Sequence, residues 1–220
     1  MGSITRGLSN NITTGGVILP AGITNSSVSA VTSFANASGG TLILLSTQTA
    51  SNSATLSFTT GLDSTYDAYE FHFINIAARD ADKPFLFQTS TNGGSSYGVT
   101  ATTTQFRAYH FESDSGAGLG YQDALDQAQS TAFINVSHDM GNTADYNMNG
   151  VLQIFNPSST TYVKHFIVQV SQDYTNSAPG NISVFNAGYF NTTSAVNAIQ
   201  FKMGAGNMDG IIKMYGLKKS

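Results

Sequence analysis

The chain contains no cysteine, which excludes disulfides, thiolate metal sites and cysteine nucleophiles. It has no tryptophan and only four prolines. Charge is scarce: charged residues make up 10% of the sequence, where about a quarter is usual. Nine lysines and arginines spread over 220 residues cannot neutralise a run of phosphates, so no nucleic-acid partner is expected. No apolar run reaches the roughly 18 residues of a membrane-spanning helix, so no membrane partner is expected either. Residues 1–11 carry Arg6 but lack the apolar centre of a secretory signal.

Small neutral polar groups take the place of ions. The sequence has 26 serines, 25 threonines, 18 asparagines and 22 glycines, with a net charge of −4. Hydrophobic residues still reach 40%, including 14 phenylalanines and 10 tyrosines, and this aromatic content argues against disorder. Asn-x-Ser/Thr triplets at Asn11, Asn25, Asn36, Asn135, Asn181 and Asn191 follow from the composition.

Two regions differ in pattern. Residues 1–40 hold one charged side chain, Arg6, and scattered apolar anchors at Val17, Ile18, Leu19, Ile23, Val28, Val31 and Phe34. Pro20 and the glycines exclude a long helix. Such a segment cannot bury a core alone, and its spaced anchors favour an extended arm that orders against a partner over a free tail. Residues 41–220 are expected to form the folded domain.

There, strand patterns dominate. Residues 41–48 form an apolar run, and residues 54–58 alternate with period two. Residues 69–73 place Tyr69, Phe71 and Phe73 on one face, with Glu70 and His72 on the other. Further strands are expected around Phe85 and Phe87, at Phe106–Tyr109–Phe111, and over 133–137, 151–155, 162–170, 182–190, 198–203 and 211–217. Asn92-Gly93-Gly94, Asn156-Pro157, Ala178-Pro179-Gly180 and Gly204–Asn207 read as turns, the first as a hairpin. Ten to eleven short strands predict an all-β, antiparallel two-sheet sandwich of the jelly-roll kind. Residues 122–130 are rich in helix formers, so they predict one short helix on a connection.

Candidate chemistry is thin. Gly94-Ser95-Ser96-Tyr97-Gly98 matches the G-x-S-x-G nucleophile elbow, which works only where a strand turns into a helix. The β-type run from Val99 to Thr104 leaves no helix to follow it, so no catalytic serine is expected. Ser90 to Tyr97 also looks like a degenerate sialidase Asp-box, which is a structural turn. His72, His110, His138 and His165 lie on separate elements without metal-ligand spacing. Acidic residues gather in three loops, Asp80 with Asp82, Glu112 with Asp114, and Asp139 with Asp145, without the ladder of a calcium loop. No cofactor, metal or enzymatic activity is therefore expected. Tyr97, Tyr109, Tyr121, Tyr146 and Tyr174 are candidates for stacking on sugars, against the plainer reading that they pack in the sandwich or at a subunit interface.

Several stretches carry a resemblance. Leu45–Ser51, Gly61–Tyr69, Phe155–Thr161, Ile199–Met203 and Lys213–Leu217 resemble virion structural proteins of marine tailed bacteriophages. The segment Arg6–Thr13 resembles the N-terminal arms that attach such proteins to the particle. The resemblance implies an exterior virion protein, either capsid decoration or a fibre-like appendage, with itself and other virion proteins as partners and a homotrimer as the expected assembly. A tail-fibre protein that recognises a host surface glycan is the alternative. The family supplies no catalytic residues.

Overall fold

The computed structural model describes residues 12–13, 16–17, 42–143, 145–174 and 179–217. The chain divides into two units, Met1–Gly39 and Gly40–Ser220. In the first, β1 (Ile12–Thr13) and β2 (Gly16–Val17) form a short antiparallel ladder with Ile12 opposite Val17. The other arm anchors, Ile18, Leu19, Ile23, Val28, Val31 and Phe34, lie outside the described residues, as does the expected course of the arm.

The second unit is an all-β sandwich. Its strands are β3 (Leu42–Ser53), β4 (Thr55–Phe58), β5 (Ala68–Ala78), β6 (Phe85–Ser90), β7 (Ala101–Phe111), β8 (Ala117–Tyr121), β9 (Ile134–Asn135), β10 (Met148–Phe155), β11 (Lys164–Tyr174), β12 (Gly180–Phe190), β13 (Ala198–Met203) and β14 (Met208–Leu217). An eight-stranded sheet has the order β3-β14-β5-β10-β11-β12-β7-β8, and a four-stranded sheet has the order β4-β13-β6-β9. Every ladder is antiparallel.

The pairing is that of a jelly roll. Strands β3, β4, β5 and β6 run outward along the chain, alternating between the sheets. Strands β9, β10, β13 and β14 return, and each outbound strand pairs with its counterpart: β3 with β14, β4 with β13, β5 with β10, β6 with β9. These eight strands make two Greek keys rolled into facing sheets of four. Two hairpins are added: β7–β8 between β6 and β9, and β11–β12 between β10 and β13. Both join one edge of the same sheet, beyond β10, and lengthen it from four strands to eight.

Alternation decides the core. Tyr69, Phe71 and Phe73 point inward and are buried, while Glu70 and His72 point outward with His72 Nε2 2.8 Å from Glu70 Oε2. On β11, Lys164, Phe166, Val168 and Val170 are buried and His165, Ile167 and Gln169 are exposed, as period two requires. Tyr162 precedes the strand and is exposed. Phe201 of β13 is the hub between the sheets. Its ring lies 5.4 to 6.3 Å from the rings of Phe58, Phe71, Phe73, Phe85 and Phe87.

Three expectations are corrected. The described residues of this unit form twelve strands, because β8 escaped the pattern. Residues 122–126 close a single turn, with Leu125 N and Asp126 N both donating to Gln122 O, and go no further. One turn fixes several dihedrals for few bonds, and β7 captures the following backbone: Thr103 N donates to Gln127 O, and Ala101 and Ser130 exchange both bonds. Asn92-Gly93-Gly94 is not a β-hairpin, because β6 and β7 belong to different sheets. It is a crossing held by side chains: Ser90 Oγ accepts from Asn92 N and Gly94 N, and Asn92 Oδ1 accepts from Ser96 N.

Candidate functional site

Four connections meet at one end of the sandwich: β4–β5, β6–β7, β10–β11 and β12–β13. Backbone bonds tie them together. Asn156 N donates to Asp67 O (2.6 Å), Val196 N to Pro157 O (2.8 Å), Asn197 N to Ser90 O (2.9 Å) and Asn191 N to Thr100 O (2.7 Å). Beneath them Lys164 is fully buried, with Nζ donating to the carbonyls of Tyr162 (2.8 Å) and Thr192 (3.1 Å). Burial pushes its ammonium below the usual lysine range.

Between the β6–β7 and β12–β13 connections lies an open cleft of about 540 Å³. Its walls include Thr91, Ser96, Tyr97, Thr131, Asn191 and Thr192. The far wall is braced, since Asn191 Nδ2 donates to Gln129 Oε1 (2.8 Å) and Gln129 Nε2 to Thr102 Oγ1 (2.8 Å). Tyr97 is half-buried, and its hydroxyl sits beside Gly94. A Cβ there would stand 2.7 Å from both that hydroxyl and Thr59 Cγ2, and Gly94 has φ +87°, so the position demands glycine. The cleft lining offers hydroxyls, an amide and one aromatic ring, and no carboxylate or imidazole. Chemically it can hydrogen-bond and stack on a neutral, hydroxyl-rich ligand.

Ser96, the elbow serine, stands at the rim of this cleft, where the chain runs on as coil into β7 and no helix N-terminus faces it. The other candidate tyrosines go elsewhere. Tyr109 is half-buried on β7, with its ring 5.2 Å from Phe111 and the Arg107 guanidinium 5.7 Å from its centre. Tyr121 ends β8, fully in solvent reach, and its hydroxyl donates to Asp126, which raises its pKa. Tyr146 packs over Gly141 at the opposite end, and Tyr174 closes β11 opposite Gly180 at that same end. The five therefore do not form one surface, and of them only Tyr97 lines the cleft.

The three acidic loops do converge on one end, opposite the cleft, through the β5–β6, β7–β8 and β9–β10 connections. Among the described residues, no group of three or more histidines and carboxylates is placed to hold a metal ion. His72 meets Glu70, His110 lies 3.1 Å from Asp114, the His138 backbone N–H donates to Gln172 Oε1 (2.8 Å), and His165 stands beside the Tyr189 ring (5.8 Å). No described helix is long and apolar enough to cross a membrane.

Sequence reasoning missed the threonines and asparagine of the cleft. Their signal is hidden because Ser, Thr and Asn fill every connection of this chain. No family model matches the chain, and no curated protein or solved structure matches it either.

Proposed function

We propose that the chain is an exterior structural protein of a tailed-phage virion, of the capsid-decoration type, joined to the particle through its N-terminal unit. The observation that carries this reading is the jelly roll itself, an architecture recurrent in capsid proteins, attached to a separate N-terminal unit. Its cohesion suits particle life outside a cell. Long antiparallel ladders and a phenylalanine core hold it, and the ion pairs of the described residues are few and partly exposed, so salt affects it little. Mass spectrometry and labelling of purified virions test the reading, and absence from particles would sink it. Labelling confined to the tail would favour a fibre-like appendage. Deleting residues 1–35 is expected to leave a soluble sandwich that no longer joins the particle. Normal incorporation of the truncated chain would place attachment elsewhere.

The cleft favours a second reading, recognition of a host surface glycan by a tail-fibre type of protein. Its neutral hydroxyls and its tyrosine ring fit a sugar better than an ion or an apolar ligand. A glycan array with the intact protein tests it. Binding that Tyr97→Ala abolishes without loss of fold supports glycan recognition, and no binding at millimolar sugar removes it.

A further inference from the structure

The outer face of the two added hairpins carries an apolar patch. Seven large hydrophobic side chains are exposed among the described residues; four of them sit here, Leu119 (74%), Tyr121 (54%), Ile167 (51%) and Phe106 (42%), and Phe155 (37%) adjoins them on β10. They are neighbours through the ladder. Phe106 lies opposite Tyr121 on β8 and Phe185 on β12, and the Phe106 and Phe185 rings stack at 4.9 Å. Leu119 lies opposite Ala108, and Ile167 opposite Ala187. Phe155, Ile167, Ala187 and Tyr189 line a shallow depression that continues the patch toward the cleft end. The polar side chains among and beside them are Thr102, Thr104, Gln169, Ser183 and His165, and the Asp126 carboxylate accepts from the Tyr121 hydroxyl at the edge.

We propose that this face is a self-association surface, which meets the same face of a second copy of the chain. The five side chains leave roughly 500 Å² of apolar surface in one patch, near the upper limit for a monomer. Two copies face to face bury about 1,000 Å² of apolar area between them, and with the intervening threonines and glutamine the total reaches the standard interface range of about 1,200–2,000 Å². The outer-face positions next to Phe106, Phe185 and Ile167 carry no charged side chain, so the patch centre offers a foreign partner nothing to complement by charge, while His165 and Asp126 stand at its margins. A face-to-face contact is two-fold, so it yields even-numbered assemblies. The trimer expected from the resemblance would instead need the patch to meet a different surface of the next copy. The inference concerns the free protein and does not depend on the virion reading, which particle incorporation tests separately.

Sedimentation equilibrium of the full chain, over about 1–100 µM, tests it. The expected result is a dimer, or a dimer of dimers, that Ile167→Asp weakens at least about tenfold with far-UV dichroism unchanged. Thr104→Arg adds charge to the same face without removing any apolar group and is expected to do the same. Lys213→Glu, on the polar half of the sheet, is expected to leave assembly as it was. Because the chain has no cysteine of its own, Thr104→Cys and Gln169→Cys report the contact directly. At least one of them should form an oxidised cross-linked pair, and Lys213→Cys should not. A monomer at the top concentration, a trimer, or assembly unmoved by Thr104→Arg overturns the proposal.

Discussion

The two halves of the eight-stranded sheet solve the same covering problem differently. Under β3, β14, β5 and β10 lies the four-stranded sheet, and the gap fills with the rings around Phe201. Above them the centre of the outer face is a polar network: Glu70 accepts from Gln153 Nε2 (2.6 Å), faces His72, and has Lys213 one ladder step away. Toward β12 and β7 no second sheet is available. Their inner face carries amides, Gln105 and Asn186, and is covered by residues 122–137, irregular apart from the two-residue β9. Adding a hairpin to a sheet edge satisfies its backbone at once, but each new face still needs a cover. Inside, this protein supplies one from coil; outside, it leaves apolar side chains uncovered.

Glutamine and asparagine make the coil cover possible. Coil laid against a sheet makes few ladder bonds, so its carbonyls need donors from elsewhere. Gln88 Nε2 donates to Ala132 O (2.8 Å), Gln127 Nε2 to Phe133 O (2.8 Å), Asn186 Nδ2 to Asn135 O (2.8 Å) and Gln172 Nε2 to His138 O (3.3 Å). Side-chain amides thus replace the missing strand.

The largest effect that separates the halves is expected at the aromatic hub. Phe201→Ala removes a ring that touches five others, and should cost about 3–5 kcal/mol in urea unfolding. Phe185→Ala, on the outer face, should cost about 1 kcal/mol when measured on dissociated subunits. Equal losses would show that the added strands share the core on the same terms as the jelly roll.

A smaller and more local effect is expected at Asn186. Asn186→Ala leaves the Asn135 carbonyl without its donor in a buried setting, at a cost of about 1–3 kcal/mol. Hydrogen exchange should quicken in residues 122–137 and along β7 and β12, while β5 and β14 keep their protection. Uniform loss of protection would mean that the sandwich opens as one cooperative body, and the distinction between halves would fail.

Much of the jelly-roll half could be read from the residues. Tyr69-Glu70-Phe71-His72-Phe73 states its own face, strand and core in five letters. The added half was less legible for physical reasons. In β8, Gly118 faces inward under Tyr109, where a Cβ would come within 2.8 Å of the ring, so the strand forfeits the β-branched signature that would announce it. Gln122 to Ser130 has helix-forming composition, yet Gln127 and Gln129 spend their amides on bonds to coil and to β7. Period two also tells which face a side chain takes but not which strand lies beside it. The rolled pairing and the two insertions were therefore invisible until the strands were placed. The same limit hid the cleft, whose walls come from connections about a hundred residues apart in sequence.

The smallest predicted effect concerns acid, and it tests whether the coil cover yields before the sheets. His138 sits on the β9–β10 connection against Gln172 of β11. Burial, reinforced by the nearby Arg107 charge, holds its imidazole below the ordinary value of 6.5. In the window between that lowered value and 6.5 the unfolded chain binds the extra proton and the folded chain does not. Stability therefore falls as pH drops through the window, and levels off beneath it. The carboxylates answer later. Hydrogen bonds from Thr65 hold Asp63 below 3.8, and the Arg79 guanidinium does the same for Asp209. The stability they add is complete above 3.8 and is lost only as pH falls through their lowered values. Urea midpoints followed from neutral pH downward should thus decline in two steps. His138→Gln should erase the upper step and leave the lower one in place. Hydrogen exchange within the upper step should quicken first in residues 136–143. A decline that begins only below 4, or an upper step that survives His138→Gln, would place the acid-sensitive contact in the sheets rather than in their cover.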